Sequence, residues 1–292
     1  MHNWMARSAH GFIAKHFASE PHTNNRASAS AGHVSLVGAG PGDPDLITRK
    51  GWKAIQAADV VVYDALVSHE LMSEIPMQIK RHYVGKLKGR HSASQQDICS
   101  IICEYARQGL RVARLKGGDS VIFGRLGEEL AALREAGISH NIVPGITAAS
   151  GCAASLGFSL TERGIASRLR MVTAHNHDNS AINWKDLAEC RDTLVFYMGL
   201  SLAPTIAQQL MENGLPKDYP ALLVQDATTE HQVTRTCVLS TLAATAKSMQ
   251  SPTLIVIGPV TQSADILGQL THAPQARQVA AIDERYSQAT QR

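Results

Sequence analysis

Residues 34–44 have the sequence VSLVGAGPGDP, in which a short β-branched run passes directly into a loop of glycine and proline. Four similar runs follow, and each is succeeded by a turn and by a stretch with helical spacing, for example Asp97 to Arg107. These runs are residues 59–63, 82–85, 111–115 and 141–143. Strands that alternate with helices in this way predict a parallel α/β sheet.

A second series of strands begins after Pro144, Gly145 and a helix of small residues from Thr147 to Ser155. These strands have fewer helices between them and include one adjacent pair, so we expect a more mixed sheet. They are residues 169–174, 193–198, 221–225, 232–237 and 253–257. We therefore predict two α/β domains, residues 33–146 and 147–262.

The two ends of the chain lack this pattern. Residues 1–32 contain arginine, serine and histidine but only one acid, Glu20, which favours a disordered extension over a transit peptide. Residues 263–292 are polar and unpatterned, and we predict a disordered tail there.

Composition excludes several classes of protein. The chain has 292 residues with a net charge of +3, and only 5% of the residues are aromatic. No apolar run approaches the roughly 20 residues that span a bilayer, and the low aromatic content argues against a stacking platform for nucleic acid. The five cysteines are an odd number without CxxC spacing, which disfavours a zinc site or a secreted disulfide scaffold and favours a cytoplasmic protein.

The loop at residues 38–44 suggests a dinucleotide site, but Asp43 stands where such a site needs a third glycine. No Gly-Lys-Ser/Thr follows, so the loop is not a phosphate-binding Walker loop. The alternative is a tight turn that Asp43 caps.

A second loop, residues 115–125, also leaves the end of a predicted strand. Its paired glycines, Gly117 and Gly118, would let a ligand approach the backbone. Asp119 can accept hydrogen bonds from a ligand, or it can cap a helix. Two such loops at equivalent strand ends favour a binding site without identifying its ligand.

Further charged residues follow other strands. Asp64 ends the second strand and Lys86 ends the third, so they face one cleft or are solvated turn residues. Arg125 and Arg163 have the planar donors that suit carboxylates, although surface salt bridges explain them equally well.

We predict no metal site. Residues 175–178, HNHD, suggest one, but alternate side chains of an extended segment point to opposite faces, and no second cluster completes a ligand set. Cys99 and Cys103 lie four residues apart on a predicted helix and are expected in the core.

Taken in order, eight short motifs closely resemble the tetrapyrrole methylase family. The resemblance covers about residues 33–262, and the ordered set is far more specific than any one motif. The motifs are VGAGPGDP (37–44), YDALV (63–67), VGK (84–86), RLKGGD (114–119), IFGR (122–125), VPGITA (143–148), LTER (160–163) and YMG (197–199).

The resemblance implies a two-domain tetrapyrrole methylase fold with S-adenosylmethionine (SAM) in a cleft between the two α/β domains, and a homodimer. It implies SAM-dependent C-methylation of uroporphyrinogen III at C2 and then C7, which gives precorrin-2 through precorrin-1. The product would serve sirohaem or cobalamin-type biosynthesis. Neither nucleic acid, membrane nor metal is expected as a partner.

The resemblance also implies roles for individual residues. Asp64 matches a proton acceptor and Lys86 a proton donor. Arg125, Glu128, Arg163 and Met198 match positions near the substrate. The implied cofactor contacts are Pro41, Gly117, Gly118, Asp119, Ile122, Thr147, Ala148, Met198 and Ala227.

Three positions depart from the family pattern. Ser120 replaces a common proline, Leu126 a frequent glycine, and Glu162 the usual histidine. An acid beside Arg163 would neutralise it or repel a substrate carboxylate. A later corrin-ring methylase and a non-catalytic SAM- or tetrapyrrole-binding sensor therefore stay open, and rRNA or diphthamide methylation is less favoured. With 292 residues, the chain is expected to lack a dehydrogenase and ferrochelatase module and to stop at the methylated product.

Overall fold

The computed structural model describes residues 32–85, 94–174 and 182–264. These residues form two five-stranded sheets that belong to one compact unit. The predicted boundary at residues 146 and 147 lies between the two sheets, and the domain limits stay a prediction.

The N-terminal sheet consists of β1 (His33–Gly38), β2 (Val60–Tyr63), β3 (Lys80–Tyr83), β4 (Arg111–Lys116) and β5 (Ser139–Val143). All its strands are parallel, in the order β3-β2-β4-β1-β5. Side chains alternate between two buried faces, with Leu36 packed on one and Val37 and Leu115 on the other. A parallel sheet with both faces covered needs such continuous apolar strands.

Five helices connect or follow these strands: α1 (Arg49–Gln56), α2 (His69–Glu74), α3 (Gln95–Arg107), α4 (Leu126–Glu135) and α5 (Ala148–Ser155). Local side chains begin several of them. Ser94 and Asp97 form a reciprocal capping box at the start of α3, and Thr48 accepts the Gly51 N–H at the start of α1. Cys99 and Cys103 are buried in α3, which confirms that they are core residues.

The C-terminal sheet consists of β6 (Leu169–Thr173), β7 (Thr193–Tyr197), β8 (Pro220–Gln225), β9 (Val233–Val238) and β10 (Thr253–Ile257). Its order is β6-β7-β10-β8-β9, and only β6 and β7 pair in parallel. The predicted mixed sheet is therefore confirmed. Helices α6 (Trp184–Glu189), α7 (Ala203–Glu212) and α8 (Leu239–Ala246) pack with it.

All ten predicted strands are present, and every observed limit lies within two residues of the predicted one. β3 was predicted at residues 82–85 and spans Lys80–Tyr83 instead. Its first two residues are exposed and charged at a sheet edge, so they lack an apolar pattern. Within the described ranges, no helix is long and apolar enough to cross a bilayer.

Candidate active site

Three loops meet backbone against backbone at the carboxyl ends of β1, β4 and β5. The Gly40 N–H donates to the Gly118 carbonyl at 3.1 Å, and the Gly118 N–H donates to the Gly40 carbonyl at 2.7 Å. A Cβ atom on Gly145 would lie 2.4 Å from the Gly118 carbonyl oxygen, so a side chain has no room there. Parallel α/β sheets bind ligands at this edge.

The loop after β2 joins the same edge through Gly117. A Cβ atom on Gly117 would lie 2.5 Å from Cβ of Leu66. Gly118 has a φ of +69°, a conformation that favours glycine. Gly117 therefore brings the turn of Asp64 beside the loop of Asp119, and Gly118 faces the start of α5.

Asp119 uses one carboxylate oxygen within its own loop. Oδ1 accepts the Val121 N–H at 3.0 Å, and the Asp119 carbonyl accepts the Ile122 N–H at 3.1 Å. Asp43 makes the matching contact in the first loop, where its Oδ1 accepts the Asp45 N–H at 2.9 Å. The expected Asp43 cap is therefore present, at the start of a short 3₁₀ helix.

Tyr197, at the end of β7, binds the start of α5. Its hydroxyl lies 2.7 Å from Oγ1 of Thr147 and accepts the Ala149 N–H at 3.1 Å. Burial raises the pKa of this hydroxyl, so it keeps its proton to a higher pH than an exposed tyrosine does. The Phe123 ring lies 5.0 Å from the Tyr197 ring, centroid to centroid. The predicted contacts Thr147 and Ala148 thus lie next to a residue of the C-terminal sheet, and the exposed Met198 follows it.

The loop after β8 touches the first glycine loop. The Asp43 N–H donates to Oγ1 of Thr228 at 3.0 Å, and a Cβ atom on Gly42 would lie 2.9 Å from the Ala227 carbonyl oxygen. Pro41 contacts α5, because a Cβ atom on Gly151 would lie 2.5 Å from its Cγ. The structure therefore brings Pro41 and Ala227 to one region, as the proposed cofactor contacts require.

Asp64 belongs to a network of four charged side chains that the sequence did not predict. Its Oδ2 lies 2.9 Å from Nη2 of Arg114, and Nε of Arg114 lies 3.1 Å from Oε1 of Glu129. Nζ of Lys116 lies 2.7 Å from Oε2 of Glu129. Burial lowers the pKa of the Lys116 ammonium, and the Glu129 carboxylate opposes this shift. We call these four residues the β4 charge network.

One signal for this network was present in the sequence. Arg114 and Lys116 are basic residues that alternate with the apolar Ala113 and Leu115 in a strand of the parallel sheet, and a buried cation requires an acidic partner. Glu129 lies on α4, and its pairing with both residues depends on how that helix packs on the sheet.

No direct contact joins Arg125 and Arg163, the two described arginines that are predicted to bind substrate carboxylates. Arg125 pairs with Glu128 through two hydrogen bonds of 2.9 and 2.8 Å, and both side chains are exposed. Arg163 is exposed in a turn closed by hydrogen bonds between Glu162 and Ala166. Among the described residues, neither Arg163 nor Glu162 forms an ion pair, so neutralisation of Arg163 by Glu162 is not seen there.

Four predictions fall outside the described residues: Lys86, the HNHD segment at 175–178, the N-terminal extension at 1–32 apart from residue 32, and the C-terminal tail at 263–292 apart from residues 263 and 264. Across the described ranges, no group of three or more His, Cys, Asp or Glu side chains is arranged to hold a metal ion.

Two cavities adjoin these loops. One, of about 310 Å³, is lined by Phe123 together with residues of β6 and α6. The other, of about 460 Å³, lies between Ser68, His69 and Glu70 on one side and Asp226, Thr229 and His231 on the other. Both are therefore bordered by segments of the two halves of the chain.

Residues 33–243 match the family of tetrapyrrole (corrin/porphyrin) methylases. The chain belongs to the tetrapyrrole methylases. The resemblance seen in the sequence motifs and the predicted fold class are thereby confirmed.

Similar proteins fall within the same family. The chain is 49% identical over 236 residues to siroheme synthase 2 of Yersinia enterocolitica, which covers 81% of this chain and 50% of that protein. It thus spans about half the length of the curated relatives it matches.

Solved structures are similar over nearly their whole length. A uroporphyrin-III C-methyltransferase from Thermus thermophilus is 34% identical with a TM-score of 0.69, covering 79% of this chain and 99% of that one. A structure of the Thermus enzyme with S-adenosylhomocysteine has the same identity and TM-score. A cobalt-precorrin-4 methyltransferase is 26% identical, also with a TM-score of 0.69, covering 77% of this chain and 94% of that one.

Proposed function

We propose that this chain is a SAM-dependent uroporphyrinogen-III C-methyltransferase. It methylates C2 and then C7, giving precorrin-2 through precorrin-1 for sirohaem or cobalamin-type biosynthesis. The observation that carries the proposal is the match to 99% of the Thermus thermophilus enzyme at 34% identity. A cytoplasmic homodimer is part of the same proposal.

The glycine loops suit a bound SAM molecule. Gly117 and Gly118 present backbone without side chains. No described residue donates a hydrogen bond to Oδ2 of Asp119, so this oxygen can accept one from the ligand. Bound SAM supplies a methyl group that its sulfonium charge already activates. The chain's own task is to hold the two reactants close together and to exclude water. The full proposed contact set is Pro41, Gly117, Gly118, Asp119, Ile122, Thr147, Ala148, Met198 and Ala227.

Methylation of a pyrrole carbon forms a cationic ring that must lose a proton. Asp64 is the proposed acceptor, because its side chain is 25% exposed and Arg114 and the Leu66 N–H hold it in place. Lys86 is the proposed proton donor. Arg125 is assigned to binding, because a guanidinium stays protonated in proteins and is therefore a poor base.

Uroporphyrinogen III carries eight carboxylates on a largely apolar ring. Arg125, Arg163 and Lys86 are the proposed carboxylate ligands, and a substrate carboxylate would replace Glu128 on Arg125. Leu66, Val121 and Phe123 are exposed apolar side chains on the same loops, and we propose that they contact the ring.

A corrin-ring methylase is the second candidate. It is favoured by the match to the cobalt-precorrin-4 methyltransferase, which has the same TM-score at lower identity. The larger identity to the Thermus enzyme, 34% against 26%, favours uroporphyrinogen III as the proposed substrate.

The test is an anaerobic incubation of purified protein with SAM and uroporphyrinogen III, followed by mass spectrometry. We expect the tetrapyrrole to gain two methyl groups. A precorrin-4-type substrate is offered in competition, and its preferential methylation would support the second candidate. Absence of methylation of either compound, with folded protein and an active control enzyme, would overturn the proposal.

A further inference from the structure

The β4 charge network connects a fully buried carboxylate to the proposed proton acceptor. Arg114 and Lys116 are two residues apart on β4, so both side chains point to the face of the sheet that α4 covers. Glu129 projects between them from α4 and accepts from both. The exposed fractions of the Arg114, Lys116 and Glu129 side chains are 3%, 6% and 0%.

Arg114 is held by three acceptors that face different edges of its guanidinium. Nε donates to Glu129, Nη1 donates to the Leu115 carbonyl at 2.6 Å, and Nη2 donates to Asp64. A planar guanidinium bound on three sides has one orientation, because its donors form a rigid fork. The direction of Nη2 is therefore set by Glu129 and by the backbone of β4.

Asp64 is where this buried network reaches solvent. Nη2 of Arg114 binds Oδ2, and the Leu66 N–H donates to Oδ1 at 3.1 Å. Each carboxylate oxygen has a second lone pair, so a carboxylate held at both oxygens can still accept a proton. The result is an oriented acceptor next to the glycine loops.

We propose that Arg114 is a positioning residue for Asp64 and that Glu129 acts on Asp64 through Arg114, with Lys116 balancing the Glu129 charge. This inference rests on the proposed function, because Asp64 has a role only if a proton is removed. Loss of Glu129 would leave two cations facing each other, and Arg114 would move with the carboxylate that it holds.

Two variants test this role in the methyl-transfer assay. Arg114→Lys keeps the charge but cannot reach all three acceptors, and Glu129→Gln keeps the shape but removes the charge. Each should lower kcat by about 10- to 100-fold with the KM for both substrates unchanged, because misplacing a reacting group by about 1 Å can cost that much.

The Asp64→Asn background separates positioning from a purely structural role. If Glu129 and Arg114 act through Asp64, their substitution should have little further effect on kcat there, while still lowering the melting temperature. A full additional loss of kcat in that background would overturn the inference.

Asp192→Asn is the matched control. Asp192 is a buried carboxylate that binds Arg168 and Arg170 in the C-terminal half. Its substitution should lower the melting temperature without changing kcat. A fall in kcat equal to that of Glu129→Gln would overturn the inference, because it would show that loss of a buried ion pair lowers kcat through stability alone.

A further variant covers the case in which Glu129→Gln does not fold. Lys116→Met combined with Glu129→Leu replaces the buried pair by apolar side chains of similar size, a change that proteins often tolerate. It also removes the Nε acceptor of Arg114, so kcat should fall as in Arg114→Lys. Unchanged kcat in these folded variants, with an active wild type, would overturn the inference alone. An inactive wild type would overturn the proposed function and the inference together.

Discussion

Each half of the molecule buries a carboxylate between two basic side chains, but the basic side chains of the two clusters differ in their exposure to solvent. In the N-terminal half, Glu129 binds Arg114 and Lys116, whose side chains are 3% and 6% exposed. In the C-terminal half, Asp192 binds Arg168 at 2.9 Å and Arg170 at 2.7 Å, and these side chains are 61% and 27% exposed.

The clusters also lie at opposite ends of their strands. Arg114 and Lys116 are at the carboxyl end of β4, next to the glycine loops. Asp192 precedes β7, five residues before Tyr197, which corresponds to about 16 Å of extended chain. Similar ion pairing can therefore serve a site at one end of a strand and only the fold at the other.

The largest expected difference between the clusters is in stability. Glu129→Ala leaves the buried Lys116 ammonium unpaired and removes one of the two carboxylates that bind Arg114, so it should lower the free energy of unfolding by about 3–5 kcal/mol. Asp192→Ala should cost only about 1–2 kcal/mol, because water can reach both of its arginines. Urea denaturation at pH 7 measures both values, and equal losses would contradict the comparison.

A second comparison, within the N-terminal half, tests whether the position of an aspartate decides if it binds SAM. Asp119 and Asp43 each accept a backbone N–H two residues ahead, at 3.0 and 2.9 Å. Asp119→Ala should weaken SAM binding about tenfold through the loss of one polar ligand contact, whereas Asp43→Ala should leave the Kd unchanged. Calorimetric titration compares them. Equal SAM affinity of Asp119→Ala and wild type would count against the proposed contact.

The smallest expected effects separate two exposed arginines. Arg163→Ala should raise the KM for the porphyrinogen several-fold and change the free energy of unfolding by less than about 0.5 kcal/mol. Arg168→Ala should leave that KM unchanged and cost about 0.5–1 kcal/mol, because it removes a partner of Asp192. Steady-state kinetics of both variants measures the KM for the porphyrinogen, and denaturation measures the free energy of unfolding. If Arg163→Ala lowers only stability, Arg163 is structural.

The fold was predictable because its signals are local. Buried runs such as residues 253–257 stand between turn residues, and the predicted and observed limits of that strand coincide. The predicted limits of β3 differ from the observed ones because its exposed first residues, Lys80 and Arg81, carry no apolar pattern.

The candidate site was predictable only where a short motif carries it. Gly117, Gly118 and Asp119 stand together in the sequence, and the structure places them at one sheet edge. The contact of Gly145 with Gly118 and the pairing of Glu129 with Arg114 join separate elements. Such contacts depend on tertiary packing, which strand and helix patterns do not encode.

The most direct test of the account is a crystal structure of this protein with S-adenosylhomocysteine. We expect the nucleoside against the loop of Gly117, Gly118 and Asp119 and the start of α5, with its sulfur facing the side of Asp64. A nucleoside bound away from these loops, or glycine loops closed against ligand by neighbouring side chains, would contradict the account.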